Sequence, residues 1–292
     1  MADPRRRLPA NVAGDFFVDA TCIDCDACRQ IAPATFRAAE GQSAVWHQPE
    51  TAAERHRAAM ALVACPTGSI GGSGFDRAAV LEAFPAPVAD EVFVNGFTSE
   101  SSFGAFSYLV RRPDGNVMID VPRFARPLVR NLERTGGIAE ILLTHRDDVA
   151  DHAAYAAHFG AGRVLHAADV TSSTRAVERQ PAGSDAVDLG RDLRMIPTPG
   201  HTRGHAVYLY RDTFLFTGDH LAWSPRRGHL YAFRDACWYS WDEQIASMER
   251  LLEYGFEWVL PGHGRPVHLP PEEMRRSLER CIEWMKTSSR SR

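Results

Sequence analysis

Five side chains able to bind a metal, those of His145, Asp147, Asp148, Asp151 and His152, fall within eight consecutive residues directly after the apolar run 138–143. Imidazole and carboxylate together suit zinc, iron or manganese, and two such ions held close together acidify a shared water and clamp the attacking and leaving oxygens of a displacement. Packed into a core, so many polar groups would repel or stay unsatisfied, so the run alone reads either as a solvated loop or as a metal site. Distant segments favour the second reading: Thr198-Pro199-Gly200-His201, Thr217-Gly218-Asp219 and Leu260-Pro261-Gly262-His263. Each is a strand-like run ending in a tight glycine turn that presents His or Asp, which is how loops at one edge of a sheet converge on an ion. His166, His205, His220 and His268 lie near these segments. An isolated histidine more often supports or packs beside a site than ligates, so they stay outside the ligand set.

A second constellation lies in the N-terminal quarter. Cys22, Cys25 and Cys28 stand at i, i+3 and i+6, and Cys65, followed by Pro66, supplies a fourth thiolate. Four thiolates complete one cubane iron-sulfur cluster or a closed zinc cage; zinc sites usually pair two C-x2-C knuckles, whereas one tight run plus Cys-Pro is the cluster pattern. The run resembles that of the bacterial ferredoxins, C-x2-C-x2-C-x3-C-P. Here the fourth position of the run is Ala32, with Pro33 kept, and counting back from Cys65 places Arg55, Ala58 and Ala61 where a second cluster's ligands would be. The resemblance therefore implies one [4Fe-4S] cluster on Cys22, Cys25, Cys28 and Cys65, with a helix over 51–63 in place of the second ligand run. Cys237 and Cys281 have no Cys or His at ligand spacing and read as packed thiols.

The elements that must position these residues divide in two. Gly71-Gly72-Ser73-Gly74 is flexible and Phe84-Pro85-Ala86-Pro87 stiff, with a short helix possible over 76–83 between them. The expected organisation is a ferredoxin-like domain over 1–75, a linker over 76–90 and a large domain over 91–292. In the large domain, apolar runs predict strands over 91–97, 103–110 and 117–121, the last two joined by the turn Pro113-Asp114-Gly115-Asn116. Helix 124–134, strand 138–143, helix 149–159 and strand 163–166 follow. A second half repeats the mix, with strand 193–198, hairpin 206–216, helix 241–254, strand 256–260 and helix 271–285. Residues 221–239 are too long and aromatic for a plain connection, reading equally as a loop over a sheet edge or as a lid with Trp and Tyr walls and Arg donors for an anion.

The ligand order and glycine-turn contexts over about 90–290 resemble the metallo-β-lactamase superfamily, whose signature is H-x-H-x-D-H followed by a His, an Asp and a His at strand ends. The resemblance implies a four-layer αββα sandwich, α/β (α+β) in class, preceded by the small ferredoxin-like α+β domain. It implies one metal on His145, Asp147 and His201, another on Asp151, His152 and His263, and Asp219 bridging them. Two departures stand out: Asp147 occupies the second His position, and two extra residues precede Asp151-His152. The insertion leaves open whether Asp147 or Asp148 faces the metal; the i+2 spacing from His145 favours Asp147.

The resemblance implies a metal-dependent hydrolase of ester, thioester or similar bonds, with a metal-bound hydroxide as nucleophile and Asp151 or Asp219 orienting it. The alternative is a redox enzyme for oxygen, sulfur or other small-molecule chemistry, in which the cluster passes electrons to a di-iron site, since a carboxylate at the second position is also the flavodiiron pattern and favours iron or manganese over zinc. Against this alternative, the two expected units take up these 292 residues, so no flavin domain is expected among them. A weaker alternative is an electron carrier or sensor whose large domain only binds. The expected cofactors are one [4Fe-4S] cluster and two divalent ions, Zn, Fe or Mn; the expected partners are a small-molecule substrate and a redox partner protein. A formal charge of -4 over 292 residues gives no bulk electrostatic case for nucleic acid or anionic membrane. Arg5-Arg6-Arg7 is followed by no apolar segment of the kind an export signal needs, and the cluster-type cysteine grouping fits a reducing compartment, so a cytoplasmic location is expected.

Overall fold

The computed structural model describes residues 2–289. The chain forms two compact units, one made of the residues up to Ala139 with Ala150–Ala161, the other of Glu140–Val149 with the residues from Gly162 onward. Helices and sheets mix in both, as expected of the class.

In the first unit, β1 (Phe17–Val18), α1 (Ala27–Ile31), the hairpin β2 (Phe36–Ala39) and β3 (Gln42–Val45), α2 (Ala52–Ala64) and β4 (Ile70–Gly71) follow in order, and β1 pairs antiparallel with β4. Thr51 and Glu54 form a reciprocal capping box that starts α2 by satisfying otherwise orphaned amides. The helix buries Ala58, Ala59, Ala61 and Ala64, and the first three are small side chains that pack in one core with Phe16, Val18, Phe36 and Ile70. Ala58 and Ala61, where a second cluster's ligands would be, are thus core residues. At the other end of α2, Arg123 donates to the carbonyls of Val63 at 2.6 Å and Cys65 at 3.0 Å, and Thr98 donates to that of Ala64, so two of the free carbonyls of the last turn, and that of the C-cap, are satisfied.

The stretch expected to be a linker carries α3 (Arg77–Glu82), capped by Asp76, and the strand β5 (Ala86–Ala89). β5 joins β6 (Val92–Val94), β7 (Tyr108–Val110) and β8 (Val117–Ile119) in an antiparallel run, followed by α4 (Arg126–Arg134) and α5 (His152–Phe159). The strand expected over 103–110 shortens to its last three residues. Phe103 takes a left-handed φ of 46° and Gly104 one of 82°, which no extended strand accommodates.

In the second unit β9 (Glu140–Leu142) and β10 (Gly162–Val164) pair in parallel. β11 (Val187–Gly190), β12 (Leu193–Pro197), β13 (Ala206–Tyr210) and β14 (Phe214–Gly218) run antiparallel in sequence. A separate hairpin, β15 (Ala222–Ser224) and β16 (His229–Tyr231), comes next, then α6 (Trp241–Leu251), β17 (Trp258–Pro261), β18 (Val267–His268) and α7 (Pro271–Ser289). β17 pairs parallel to β14 and so extends the sheet. Every residue of β13 and β14 is buried, which is why both read as unbroken apolar runs. Val207, Leu209 and Leu215 pack with Met248, Leu251, Met274 and Leu278 of α6 and α7, while the alternate Tyr208, Tyr210, Phe214 and Phe216 fill the opposite face.

The 221–239 segment is part buried and part exposed. Ala222 and Leu230 of the β15–β16 hairpin and the flanking Leu221 and Ala232 are buried, whereas Trp238 and Tyr239 stay exposed. Among the described residues no helix is long and apolar enough to cross a membrane.

Candidate metal centre

Four loops of the second unit, each leaving the carboxyl end of a strand, bring the proposed ligands together: β9 leads to His145, β12 to His201, β14 to Asp219 and β17 to His263. Two groups of three have their ligand atoms within 4.8 Å of one another, His145 with Asp147 and His201, and His145 with Asp148 and Asp219. Asp219 also accepts from His263 Nδ1 at 2.7 Å. Glycine is required for this approach: a Cβ on Gly262 would stand 2.8 Å from Asp148 Oδ2 and 3.2 Å from Asp219 Oδ1, and one on Gly218, at φ 47°, would stand 2.5 Å from Thr144 Oγ1.

The donor set fits divalent metal. His201 Nδ1 lies 2.5 Å from the Ala236 carbonyl oxygen, which can only accept, so Nδ1 carries the hydrogen and Nε2 presents its lone pair. The Nε2 atoms of His145 and His201 are buried without a hydrogen-bond partner. They face Asp147 Oδ2 at 3.9 and 3.4 Å and Asp219 Oδ2 at 3.9 and 3.8 Å. Lone pairs opposed to carboxylate oxygens repel, and a cation between them removes the repulsion; ligand atoms about 2.0–2.2 Å from one ion stand roughly 3–4 Å apart. Burial pushes the pKa of His145 down to about 4, so its imidazole is neutral and ready to ligate at neutral pH. Burial alone would raise Asp219, but the neighbouring His263, His145 and His201 outweigh it and keep the carboxyl well below its usual range. The His201 imidazole likewise holds Asp147 down. Asp147, with its side chain 47% exposed, marks the open rim, while His145 is fully buried at the floor.

Asp147 and Asp148, alternatives in the sequence, each fall in one of the two groups whose ligand atoms lie together. The resemblance implies Asp151 beside the second ion; the group that includes Asp219 contains Asp148 and His145 and not Asp151. Asp151 belongs to the first unit, where its carboxylate accepts from the Phe124 amide at 2.6 Å at the start of α5, and His152 is that helix's buried first residue. Sequence reasoning missed Asp169. Fully buried, it accepts from the amides of Arg146 at 3.0 Å and Gly204 at 2.7 Å and from the Thr202 hydroxyl at 2.5 Å, tying the His145 loop to the His201 loop. A lone acid after β10 has no spacing signal; only its position at a strand end hinted at it. The excluded His205 is a supporting residue, with Nδ1 at 3.0 Å from Thr198 Oγ1 and its ring beside that of His145.

In the first unit Cys22, Cys25, Cys28 and Cys65 line one small cavity with Val18, Ile23 and Ile70. Left-handed backbone at Asp24 and Asp26, a conformation aspartate tolerates, turns the first run inward, and Arg29 pairs with both aspartates. Amides of Ser43 and Ser69 point at the sulfurs of Cys22 and Cys65 at 3.4 and 3.3 Å. Burial raises Cys25 to about 11 and Cys28 to about 12, so as plain thiols they would stay protonated and inert. Sulfurs in an apolar cavity that amide donors already address fit a cluster.

Comparison with known proteins bears on both units. A family model described as the 4Fe-4S single cluster domain of Ferredoxin I matches residues 18–72. A metallo-β-lactamase from Pontibacter korlensis superposes with a TM-score of 0.53 at 17% identity, over 69% of this chain and 97% of that one. The solved structure of TMB-1 gives 0.54 at 15%, over 69% and 96%. These likenesses establish the metallo-β-lactamase fold, and the family model establishes a ferredoxin-type domain beside it. The hydroxyacylglutathione hydrolase of Acidiphilium cryptum is 32% identical over 175 residues, 57% of this chain and 70% of the relative, and that of Rhizobium meliloti 31% identical over 178 residues, 59% and 68%. The chain belongs to the family of the hydroxyacylglutathione hydrolases.

Proposed function

We propose that the chain hydrolyses a thioester of the hydroxyacyl-glutathione kind at a dinuclear site, with one [4Fe-4S] cluster on Cys22, Cys25, Cys28 and Cys65. The observation that carries the metal site is the pair of buried, unpartnered Nε2 lone pairs of His145 and His201 facing Asp147 and Asp219; the names of the relatives supply the substrate class. His145, Asp147 and His201 would hold one ion and Asp148, Asp219 and His263 the other. Ions held there acidify a coordinated water and polarise the scissile carbonyl. Asp219, within reach of the ligands on both sides, orients the attacking water, and Asp147 at the rim faces arriving substrate. Trp238 and Tyr239, whose amides bind the His201 carbonyl at 3.0 and 3.1 Å, present exposed rings beside the site as a substrate wall. The thiols that must stay reduced to ligate fit a cytoplasmic location and a redox partner protein for the cluster.

A redox reading is favoured by one feature, the Asp147 oxygen donor in place of imidazole, which hardens the first site toward iron or manganese. Full-length protein loaded separately with zinc, iron and manganese and offered S-lactoylglutathione decides between them. Turnover that His201→Ala abolishes, with the visible cluster absorbance intact, is expected. No turnover with any metal, while the reduced protein consumes oxygen, would overturn the hydrolase reading.

A further inference from the structure

We propose that Asp19 sets the reduction potential of the cluster from a distance, by polarising a chain of three hydroxyl groups away from the Cys65 sulfur. The inference rests on the four-cysteine cluster described above. The chain lies wholly within the first unit. Asp19 is 2% exposed, and its Oδ1 accepts from the Thr21 hydroxyl and, at 2.9 Å, from the Thr21 amide, while Oδ2 accepts from the Asp3 amide at 2.8 Å. The Thr21 oxygen lies 2.6 Å from Ser69 Oγ, Ser69 Oγ lies 2.6 Å from Thr67 Oγ1, and Thr67 Oγ1 lies 3.7 Å from Cys65 Sγ.

Each hydroxyl owns one hydrogen, and that decides the direction of the whole chain. Three donors and no acceptor address Asp19, which is the environment of a carboxylate, so the Thr21 hydrogen is committed to it. Ser69 can then meet Thr21 at 2.6 Å only by donating, because two oxygens with opposed lone pairs repel at that distance. The same step commits the Thr67 hydrogen to Ser69. Thr67 therefore has nothing to give Cys65 Sγ, although it sits within hydrogen-bonding range of the sulfur.

Hydrogen bonds to cluster sulfurs stabilise the more negative, reduced state and raise the potential. By orienting the chain, Asp19 withholds one such bond and keeps the cluster a stronger reductant. The device acts at fixed charge and needs no proton transfer. Breaking the chain in its middle frees the Thr67 hydrogen to turn to the sulfur without altering any charge, so Ser69→Ala should raise the midpoint potential. Thr67→Val alone should leave the potential close to that of the unaltered protein, because its hydroxyl contributes nothing to the sulfur.

The test is spectroelectrochemical titration of full-length protein, with cluster content fixed by visible absorbance, for Ser69→Ala, Thr67→Val and the double variant. A positive shift in Ser69→Ala that Thr67→Val cancels in the double variant is the expected result. Asp19→Asn gives a second route, because an amide can donate to Thr21 and reverse the chain; its positive shift should shrink when Thr67→Val is added, leaving the part due to lost charge. Equal effects of Thr67→Val with Ser69 present and absent would overturn the proposal. Absence of cluster absorbance from the unaltered protein would instead overturn the cluster reading, and this one with it.

Discussion

Asp169→Asn tests whether the metal centre is held by the bond network beneath it. The carboxylate takes three donors, two backbone amides and a hydroxyl, from both ligand loops; the Thr202 and Gly204 bonds are buried and the Arg146 bond is half-buried. Charge-assisted bonds contribute roughly 1.5–3 kcal/mol each and neutral ones about half as much, and an amide can present an oxygen to only one side. Asparagine therefore weakens two bonds to neutral strength and sets its NH2 against the third donor. The summed cost is roughly 3–6 kcal/mol of local stability. Little of this can relax, since a Cβ at Gly204 would already stand 2.5 Å from the Asp169 nitrogen, so the chain there has no spare room. Amide exchange at Arg146 and Gly204 in metal-free protein reads the local opening directly, and a competing chelator reads the metal. Both amides should lose protection by a matching factor, and metal affinity should fall about 10–100-fold, as when partners behind a ligand are removed. Wild-type protection at Gly204 together with unchanged affinity would refute the assignment of Asp169 as the tie between the loops.

Chelated protein should lose stability as the pH falls. The folded pKa of His145 is about 4, against an unfolded value near 6.5, so its contribution is complete above about pH 6.5 and is lost as pH drops toward 4, to a total of about 3 kcal/mol. His220, pushed by burial to about 3, acts in the same direction, and a urea midpoint that stays flat from pH 7 to 5 would contradict both. Asp147→His should move the first site from iron or manganese toward zinc in competition loading; equal preference before and after would mean that Asp147 does not ligate.

What the sequence made legible was local chemistry. Cysteines at i, i+3 and i+6 and a glycine before each of His201, Asp219 and His263 declare themselves because the backbone constraint and the ligand sit in the same few residues. β13 and β14 were readable because both faces are covered, leaving unbroken apolar runs. The paired strands β1 and β4, of two residues each, carry no period at all; they exist because segments either side of the cysteine loops meet. Asp169 was illegible for the same reason: its three partners lie 23 to 35 residues away in the chain. Which of Asp147, Asp148 and Asp151 comes near the histidines depends on loop shape. Ala150, at a φ of 29° that few non-glycine residues adopt, turns the chain after Asp148, and the acid three residues further on falls at the start of α5 instead.

The two centres differ in what ligand binding must displace. Cys25 and Cys28 are held as buried thiols near 11 and 12, so cluster assembly has to expel their protons, and it becomes easier as pH rises. His145 is already neutral above about pH 6.5, and Asp147 and Asp219 are already ionised there, so these ligands can take a divalent ion without releasing protons. The price of readiness in the second case is the opposition of lone pairs and carboxylates in the metal-free site, which the ion removes on arrival. Burial therefore acts in opposite senses on the two chemistries. It locks the sulfurs in the form that cannot ligate until iron enters, and it locks the imidazole in the one form that can.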